Sequence, residues 1–524
     1  MATVSPAGRP ATRAVHRKKR LWLILAAAAL VLLVIGFSFV RANWPYRYRK
    51  IKPMLEDDLA SQVEIASYRR IYWPNPGFVA TGLTLRRKSA LNLPPLGHAD
   101  RMVVRGRWSD LLLLRQRVQT VEVTGLHIVV PPLGSKANHA NFPPGSSSDF
   151  TGPDTAIEMF KIHNSILEIL GDDGHRLIFP IRELDLAHFE KNQAITYSLD
   201  LQNAIPSGRV QSRGTFGPLN ARNIGITPVS GNFTFTAVHL HDLGNIAGTM
   251  SAKGEFHGPL AALEAHADTL TPDFSVDGGR PTRVAASTQC TVNGINGDVS
   301  IHAIDAHTGA SAIHAIGTVQ GSPKATNLDI EVKRGRAEDL MRPFMEKEVP
   351  INGPVWLRSH AYLEPEGHGP CLHRLHVTGV FDVPSERITD QKTEKSLTDF
   401  SHRAEGKRDK ADDSPNPRAD TLSSLQGPAR IEDAIASSSR LAFCIPGAQA
   451  DLSGTFNFHT KVVHLVGTLR MDTDISHTTT GFKSFLLKPL APFFKKKNAG
   501  ALVPIAVTGA PGHYQVTQDL SHNK

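Results

Sequence analysis

The chain has 524 residues, 40% hydrophobic and 20% charged, with 35 Pro and 42 Gly, which excludes a disordered chain and leaves room for about three globular units. Its formal charge of +9 is confined to the start: residues 1–120 hold 21 Lys and Arg against 6 Asp and Glu, and the remainder holds 37 against 43. That asymmetry suits a membrane-flanking segment and argues against a nucleic-acid-binding module, so no nucleic acid partner is expected.

Residues 1–20 read as a basic cytoplasmic tail that ends in Arg17, Lys18, Lys19 and Arg20. Residues 21–40, from Leu21 and Trp22 through Leu32 to Val40, carry no charge and are long enough, at about 1.5 Å per residue, to cross a hydrocarbon core of about 30 Å. They predict one transmembrane anchor, with the N-terminus held in the cytoplasm by the positive-inside rule and the bulk of the chain outside it. The opposite flank is basic as well, through Arg41, Arg47, Arg49 and Lys50. Trp22, Trp44, Tyr46 and Tyr48 fit aromatic anchors at the two membrane interfaces. A secretory signal cleaved near Val40-Arg41-Ala42 is the competing reading, disfavoured by the length of the apolar run.

Residues 41–145 form an N-terminal region in which Lys52–Ser61 is expected to be helical, with Pro53 in its first turn and Glu56, Asp57 and Asp58 at its start. The stretch 134–153, with Pro143-Pro144-Gly145-Ser146-Ser147-Ser148, is a loop and a block boundary. Residues 146–384 then alternate with period two, the mark of strands with one buried face. Val355, Leu357, Ala361 and Leu363 fall on one face, and Trp356, Arg358, His360 and Tyr362 on the other. Ile195, Tyr197, Leu199 and Leu201 repeat the pattern. A glycine motif recurs at residues 214–219, 254–260, 317–323 and 379–384, and each copy reads as a strand end leading into a reversal. Two further short helices are expected, over 335–345 with Pro343 ending it, and over Leu397–Arg403.

Residues 385–428, rich in Lys, Asp, Ser and Arg, read as an exposed charged loop, and 429–524 as a C-terminal β region. Within the latter, Phe482, Phe485, Leu486, Phe493 and Phe494 interleave with Lys483, Lys488, Lys495, Lys496 and Lys497. Rings that enter a headgroup layer while lysines meet anionic lipid would make this a second membrane contact. Phenylalanines that plug the end of the sheet beside solvated lysines are the equal alternative.

Catalytic patterns are missing: there is no GxSxG elbow, Walker A loop, HExxH or Rossmann fingerprint, so no catalytic residue and no cofactor is expected. His239-x-His241, beside Asp242, places two imidazoles on one strand face, and surface histidines explain them better than a metal does. Cys290, Cys371 and Cys444 lie far apart without a CxxC pair, so they give neither a zinc knuckle nor a disulfide framework.

One resemblance gathers these features. The single anchor, the basic aromatic neck, Ser67-Tyr-Arg-Arg-Ile-Tyr-Trp-Pro-Asn-Pro-Gly77 and Val121-Glu-Val-Thr-Gly-Leu-His-Ile-Val-Val-Pro-Pro132 together resemble the opening of AsmA-like proteins. Ile162–Leu170 before Gly171-Asp-Asp-Gly174 resembles an internal strand pair of that family. The segments 480–497 and 499–509 resemble its C-terminal end. The resemblance implies a mainly β fold: one N-terminal transmembrane helix, then an elongated, curved, antiparallel-rich β-sheet groove with a few short helices. It also implies a place in the bacterial inner membrane with the bulk in the periplasm, and a role in outer-membrane biogenesis. Phospholipid or another acyl-chain lipid would be handled along the apolar interior, with envelope proteins as further partners. Thirty or so strands at about 4.8 Å each would give a groove of about 140 Å. A non-catalytic structural or adaptor protein supporting outer-membrane protein assembly is the alternative.

Overall fold

The computed structural model describes residues 44, 46–58, 61–87, 95–113, 115, 117–130, 156–170, 176–190, 192–220, 223–320, 325–349, 351–365, 371–389, 423–471, 502–510 and 515–518, with Glu394, Leu397, Thr398 and Ser401. The protein is mainly β and builds one large curved, open sheet, to which 25 strands contribute. The alternation of the sequence dictates this outcome, because strands with one apolar face and few helices to cover it have to pair edge to edge.

The first strands are β1 (Ser61–Ile71), β2 (Gly77–Arg87), β3 (Gly97–Arg105), β4 (Arg117–Val130), β5 (Ala156–Leu170), β6 (Arg176–Phe189), β7 (Ile195–Asn203), β8 (Gly208–Phe216) and β9 (Pro228–His239). After the short β10 (Ile246–Ala247) come β11 (Thr249–Pro259), β12 (Leu263–Val276), β13 (Thr282–Val292), β14 (Val299–Thr308), β15 (Ser311–Val319) and β16 (Thr326–Arg336). The short β17 (Ile351–Asn352) precedes β18 (Pro354–Leu363), β19 (Leu375–Ile388), β20 (Ser423–Glu432), β21 (Ile435–Ile445), β22 (Ala448–Asn457), β23 (Val463–Met471), β24 (Leu502–Gly509) and β25 (Gln515–Gln518). Each pairs with the next in chain order and antiparallel, with two kinds of exception. β4 and β5 run parallel, and β10 and β17 lie aside against the ends of β12 and β19, so that β9 pairs β11 and β16 pairs β18. The ladder follows a path of about 110 Å at the usual strand spacing, shorter than the sequence suggested.

Among the described residues four short helices are bounded on both sides, α1 (Tyr48–Asp58), α2 (Trp108–Leu112), α3 (Ala337–Met341) and α4 (Cys371–Arg374), and Leu397, Thr398 and Ser401 are helical where a short helix over Leu397–Arg403 is expected. The first corrects the sequence reading. It begins at Tyr48 rather than Lys52, holds Pro53 in its interior and has no acidic residue in its first turn. Asp57 and Asp58 lie at its C-terminal end, Ser61 already belongs to β1, and the apolar stripe carrying Ile51 and Leu55 against the sheet outweighs the local start signals. The helix over 335–345 is realised as α3 followed by a 3-10 turn over Arg342–Phe344, with Pro343 where the α-helix stops. The charged stretch 385–428 is narrower than expected, since β19 runs on to Ile388 and β20 begins at Ser423.

Packed cores occur at the ends of the ladder. At the N-terminal end Trp44, Tyr46 and Ile51 join Phe78, Ala80, Val104, Val121 and Ile162 on the inner face of β2–β5. At the C-terminal end Ile445, Leu452, Leu469, Met471 and Ile505 pack together with Leu397 against them. Trp44 is 1% exposed and Tyr46 8%. These two aromatics, expected at a membrane interface, are instead core residues, because Trp44 finds Tyr72 at 4.8 Å and Trp108 at 5.9 Å while Tyr46 finds Phe78 at 6.1 Å. Among the described residues no helix is long and apolar enough to cross a membrane. Leu21, Trp22, Leu32 and Val40, with the rest of 21–40, lie outside the described residues.

Candidate functional site

Between the two end cores the sheet presents an apolar face that no other described strand covers; toward one edge of β16–β19 a third, small core of Ala337, Val355 and Val383 packs under Leu340 of α3. Register defines that face. Tyr197 of β7 stands opposite Gly214 of β8, Gly214 opposite Gly231 of β9, and Gly231 opposite Phe256 of β11. The row continues through Ala265 of β12, Cys290 of β13, Ile301 of β14, Gly317 of β15, Leu328 of β16, Ala361 of β18 and Val377 of β19. A parallel row passes through Leu199, Ser212, Phe233, Gly254, Ala267 and Thr288. Most of these side chains are half-buried, whereas residues one position along point to the other face and are largely exposed, as the burial of β11 illustrates by strict alternation. The sheltered face is the apolar one, as expected for the inside of a curved sheet.

Among the described residues the strands make their substantial contacts with ladder neighbours, and no strand of this central stretch makes a substantial contact with another across the faces of the sheet. The rows therefore line an open trough. Its wall is uneven: aromatic and branched residues dominate β6 to β9, and Gly, Ala and Thr dominate β11 to β15. The glycines explain part of this. The motif copies that begin at Gly214, Gly254 and Gly317 carry β8, β11 and β15 to their ends as expected, and these glycines, like Gly379, lie within the strands themselves. A Cβ at Gly214 would fall 1.9 Å from the Ser230 carbonyl oxygen, and one at Gly317 2.0 Å from that of Asn327. They are glycines because neighbouring backbone approaches closely where the sheet bends. Gly217, with φ of 99°, follows β8 into its reversal, and Gly258, with φ of 124°, is the penultimate residue of β11. The copy at 379–384 ends no strand, being interior to β19.

Polar groups on the sheltered face are satisfied within it. The Ser212 hydroxyl donates to the Asn232 carbonyl at 2.9 Å and lies 3.1 Å from the Tyr197 hydroxyl. Thr308 on β14, whose buried hydroxyl has no hydrogen-bond partner, is one exception, and Glu386 is another. It is 2% exposed at the end of β19, its Oε1 accepts from the Ser423 hydroxyl at 3.2 Å, and its Oε2 has no hydrogen-bond partner. Burial pushes its carboxyl above the usual glutamate value, with the Ser423 hydroxyl opposing. A raised native pKa means that the folded state holds this proton where the unfolded chain has lost it. Stability from this group is therefore full below the ordinary glutamate pKa and is lost as pH rises through the raised one. Thermal unfolding across mildly acid to neutral pH should show that decline in the wild type, and Glu386→Gln should flatten it.

The opposite face is polar and paired across strands. Arg209 grips Asp200 through two hydrogen bonds of 3.0 and 2.6 Å, which hold the Asp200 carboxyl below its usual value. Over β15, β16, β18 and β19 that face has a concavity of about 560 Å³, where His360 meets Asp329 at 2.8 Å and Arg358 meets Glu331 at 2.9 Å. Nearer the start, His163, Glu183 and Asp185 bring ligand atoms within 4.8 Å of one another. Lys161 lies 3.6 Å from Asp185 and supplies the positive charge there. Sequence reading missed this trio because it depends on the β5–β6 register, which pairs His163 with Glu183. His239 and His241 do not share a strand face: His239 ends β9 and His241 belongs to the 3-10 turn Leu240–Leu243, 3.0 Å from Asp242. Asp242 builds that turn, accepting from the Ser207 amide at 2.6 Å. Cys290 and Cys444 are free, and burial raises the Cys290 thiol.

The second expected membrane contact, Phe482, Phe485, Leu486, Phe493, Phe494, Lys495, Lys496 and Lys497, lies outside the described residues. The chain matches no family model, and no curated protein is similar to it in sequence.

Proposed function

We propose that this chain is an AsmA-like envelope protein, anchored in the bacterial inner membrane by residues 21–40, whose periplasmic sheet handles phospholipid or another acyl-chain lipid in outer-membrane biogenesis. The observation that carries the proposal is the apolar face from β6 to β19, which no other described strand covers and on which only the small core under α3 packs between the two end cores. An exposed apolar strip of this length is costly in water and invites an elongated apolar occupant. Each CH₂ taken from water into the trough would contribute about 0.8 kcal/mol, while the scarcity of free polar groups on the wall lets a chain slide without losing specific bonds. No catalytic step, metal or cofactor enters this reading.

Lipid extraction and native mass spectrometry of the detergent-purified full chain provide the test. Phospholipid is expected to co-purify in amounts above those of a single-span control protein handled identically. A lipid-free protein that also fails to take up fluorescent phospholipid would remove lipid handling and leave the adaptor role in outer-membrane protein assembly.

A further inference from the structure

The N-terminal end of the sheet carries the most exposed large apolar side chain among the described residues, Trp73, at 83%. Tyr72 at 52%, Leu112 at 67% and Leu113 at 62% are exposed at the same end of the sheet. These four belong to two tips at the same end: the turn from β1 to β2, and the segment from α2 toward β4. The Trp108 indole ties the tips together by donating to the Pro74 carbonyl at 3.0 Å. Large apolar groups exposed in a contiguous patch mark a contact surface rather than chance exposure.

What covers the patch follows from where the chain enters the fold. Trp44, in the core, lies 4.8 Å from the Tyr72 ring and 5.9 Å from that of Trp108. The apolar run ends at Val40, and an extended chain covers at most about 3.5 Å per residue, so Val40 is within about 14 Å of Trp44. A membrane spanned by residues 21–40 therefore lies beside these tips. The charge agrees, since Arg69, Arg70, Arg115 and Arg117 are exposed at this end. The acidic groups here are occupied or withdrawn: Glu158 pairs with Arg107 at 2.7 Å, Glu122 with Arg105 at 3.7 Å, and Asp110 is buried. Aromatic rings flanked by arginines match the headgroup layer of an anionic bilayer.

We propose that Tyr72, Trp73, Leu112 and Leu113 enter the headgroup region of an anionic phospholipid bilayer and seat the first strands of the sheet on it. The inference rests on the anchored reading above and adds to it a fixed posture: the sheet stands on the membrane with this end down. The interface aromatics are then Tyr72 and Trp73, while Trp44 and Tyr46 hold the fold together behind them.

The test uses the full chain reconstituted into phosphatidylethanolamine–phosphatidylglycerol vesicles, with and without bromine on the acyl chains to quench tryptophan. Subtracting the emission of Trp73→Phe from that of the wild type isolates Trp73, and Trp356→Phe isolates Trp356 on the distant β18 in the same way. Trp73 is so exposed that its replacement leaves folding intact. Bromine is expected to remove most of the Trp73 emission and none of the Trp356 emission. If the chain incorporates but the Trp73 component is unchanged by bromine, the seating is wrong and lipid handling stands. A chain that fails to incorporate at all overturns the anchor and the seating together. Equal quenching in phosphatidylcholine vesicles would strike the anionic preference from the proposal.

Discussion

Placing a carboxylate in the middle of the trough is expected to strip the protein of bound phospholipid without unfolding it. Ala267 of β12 is half-buried on the sheltered face, with Gly254 and Thr288 as its cross-strand partners. The Phe233 ring lies over Gly254, so a glutamate side chain at position 267 extends past it into the water of the empty trough, and Ala267→Glu should cost about 1–2 kcal/mol of stability. With an acyl chain in place the carboxylate has to lose its water, at a penalty of several kcal/mol, and each 1.4 kcal/mol is a tenfold loss of affinity. Co-purifying phospholipid should therefore fall by about tenfold or more. Gln289→Glu on β13 adds the same charge to the opposite face and should leave lipid content unchanged. Equal lipid in Ala267→Glu and wild type would mean that acyl chains do not pass this point.

The largest stability effect is expected at Trp44, which joins the entering chain to the sheet. Truncating a fully buried tryptophan typically costs about 3–5 kcal/mol, so Trp44→Ala should lower the urea midpoint of the N-terminal region sharply. Trp44→Phe should cost far less, below about 1.5 kcal/mol. Its indole nitrogen is buried with no hydrogen-bond partner, and phenylalanine removes that unsatisfied group while keeping an aromatic ring against Tyr72 and Trp108. If the two variants unfold at the same denaturant concentration, packing of the ring does not hold this end.

Much of the sheet was legible because a strand's side-chain period is fixed. Val355, Leu357, Ala361 and Leu363 face the sheltered side of β18, as their spacing required. What escaped were features set by residues far apart in sequence. Trp44 and Tyr46 follow an apolar run and carry basic neighbours, which is the local signature of a membrane interface. Their capture by Phe78 and Trp108 depends on contacts more than thirty residues away, which no local window contains. Tyr72 and Trp73 stand in the sequence stretch Ser67–Gly77, but the contact of Tyr72 with Trp44 is a product of the fold. That the motif glycines sit inside the strands they end is not visible locally, because glycine is permissive in strand and turn alike and only the approach of the next strand's backbone distinguishes the two. The trough itself could be inferred as an apolar face, but whether that face closes on a partner sheet or stays uncovered is decided by topology.

Because strands in the central ladder touch chiefly their two neighbours, the sheet behaves as a chain of nearly independent rungs. Inserting or deleting a hairpin there keeps inward residues inward, since two antiparallel strands restore both direction and face. The distance between the two end caps is thus adjustable in steps of about 10 Å without redesigning either cap. A length so easily changed in small increments lets the same two end caps serve sheets of different reach.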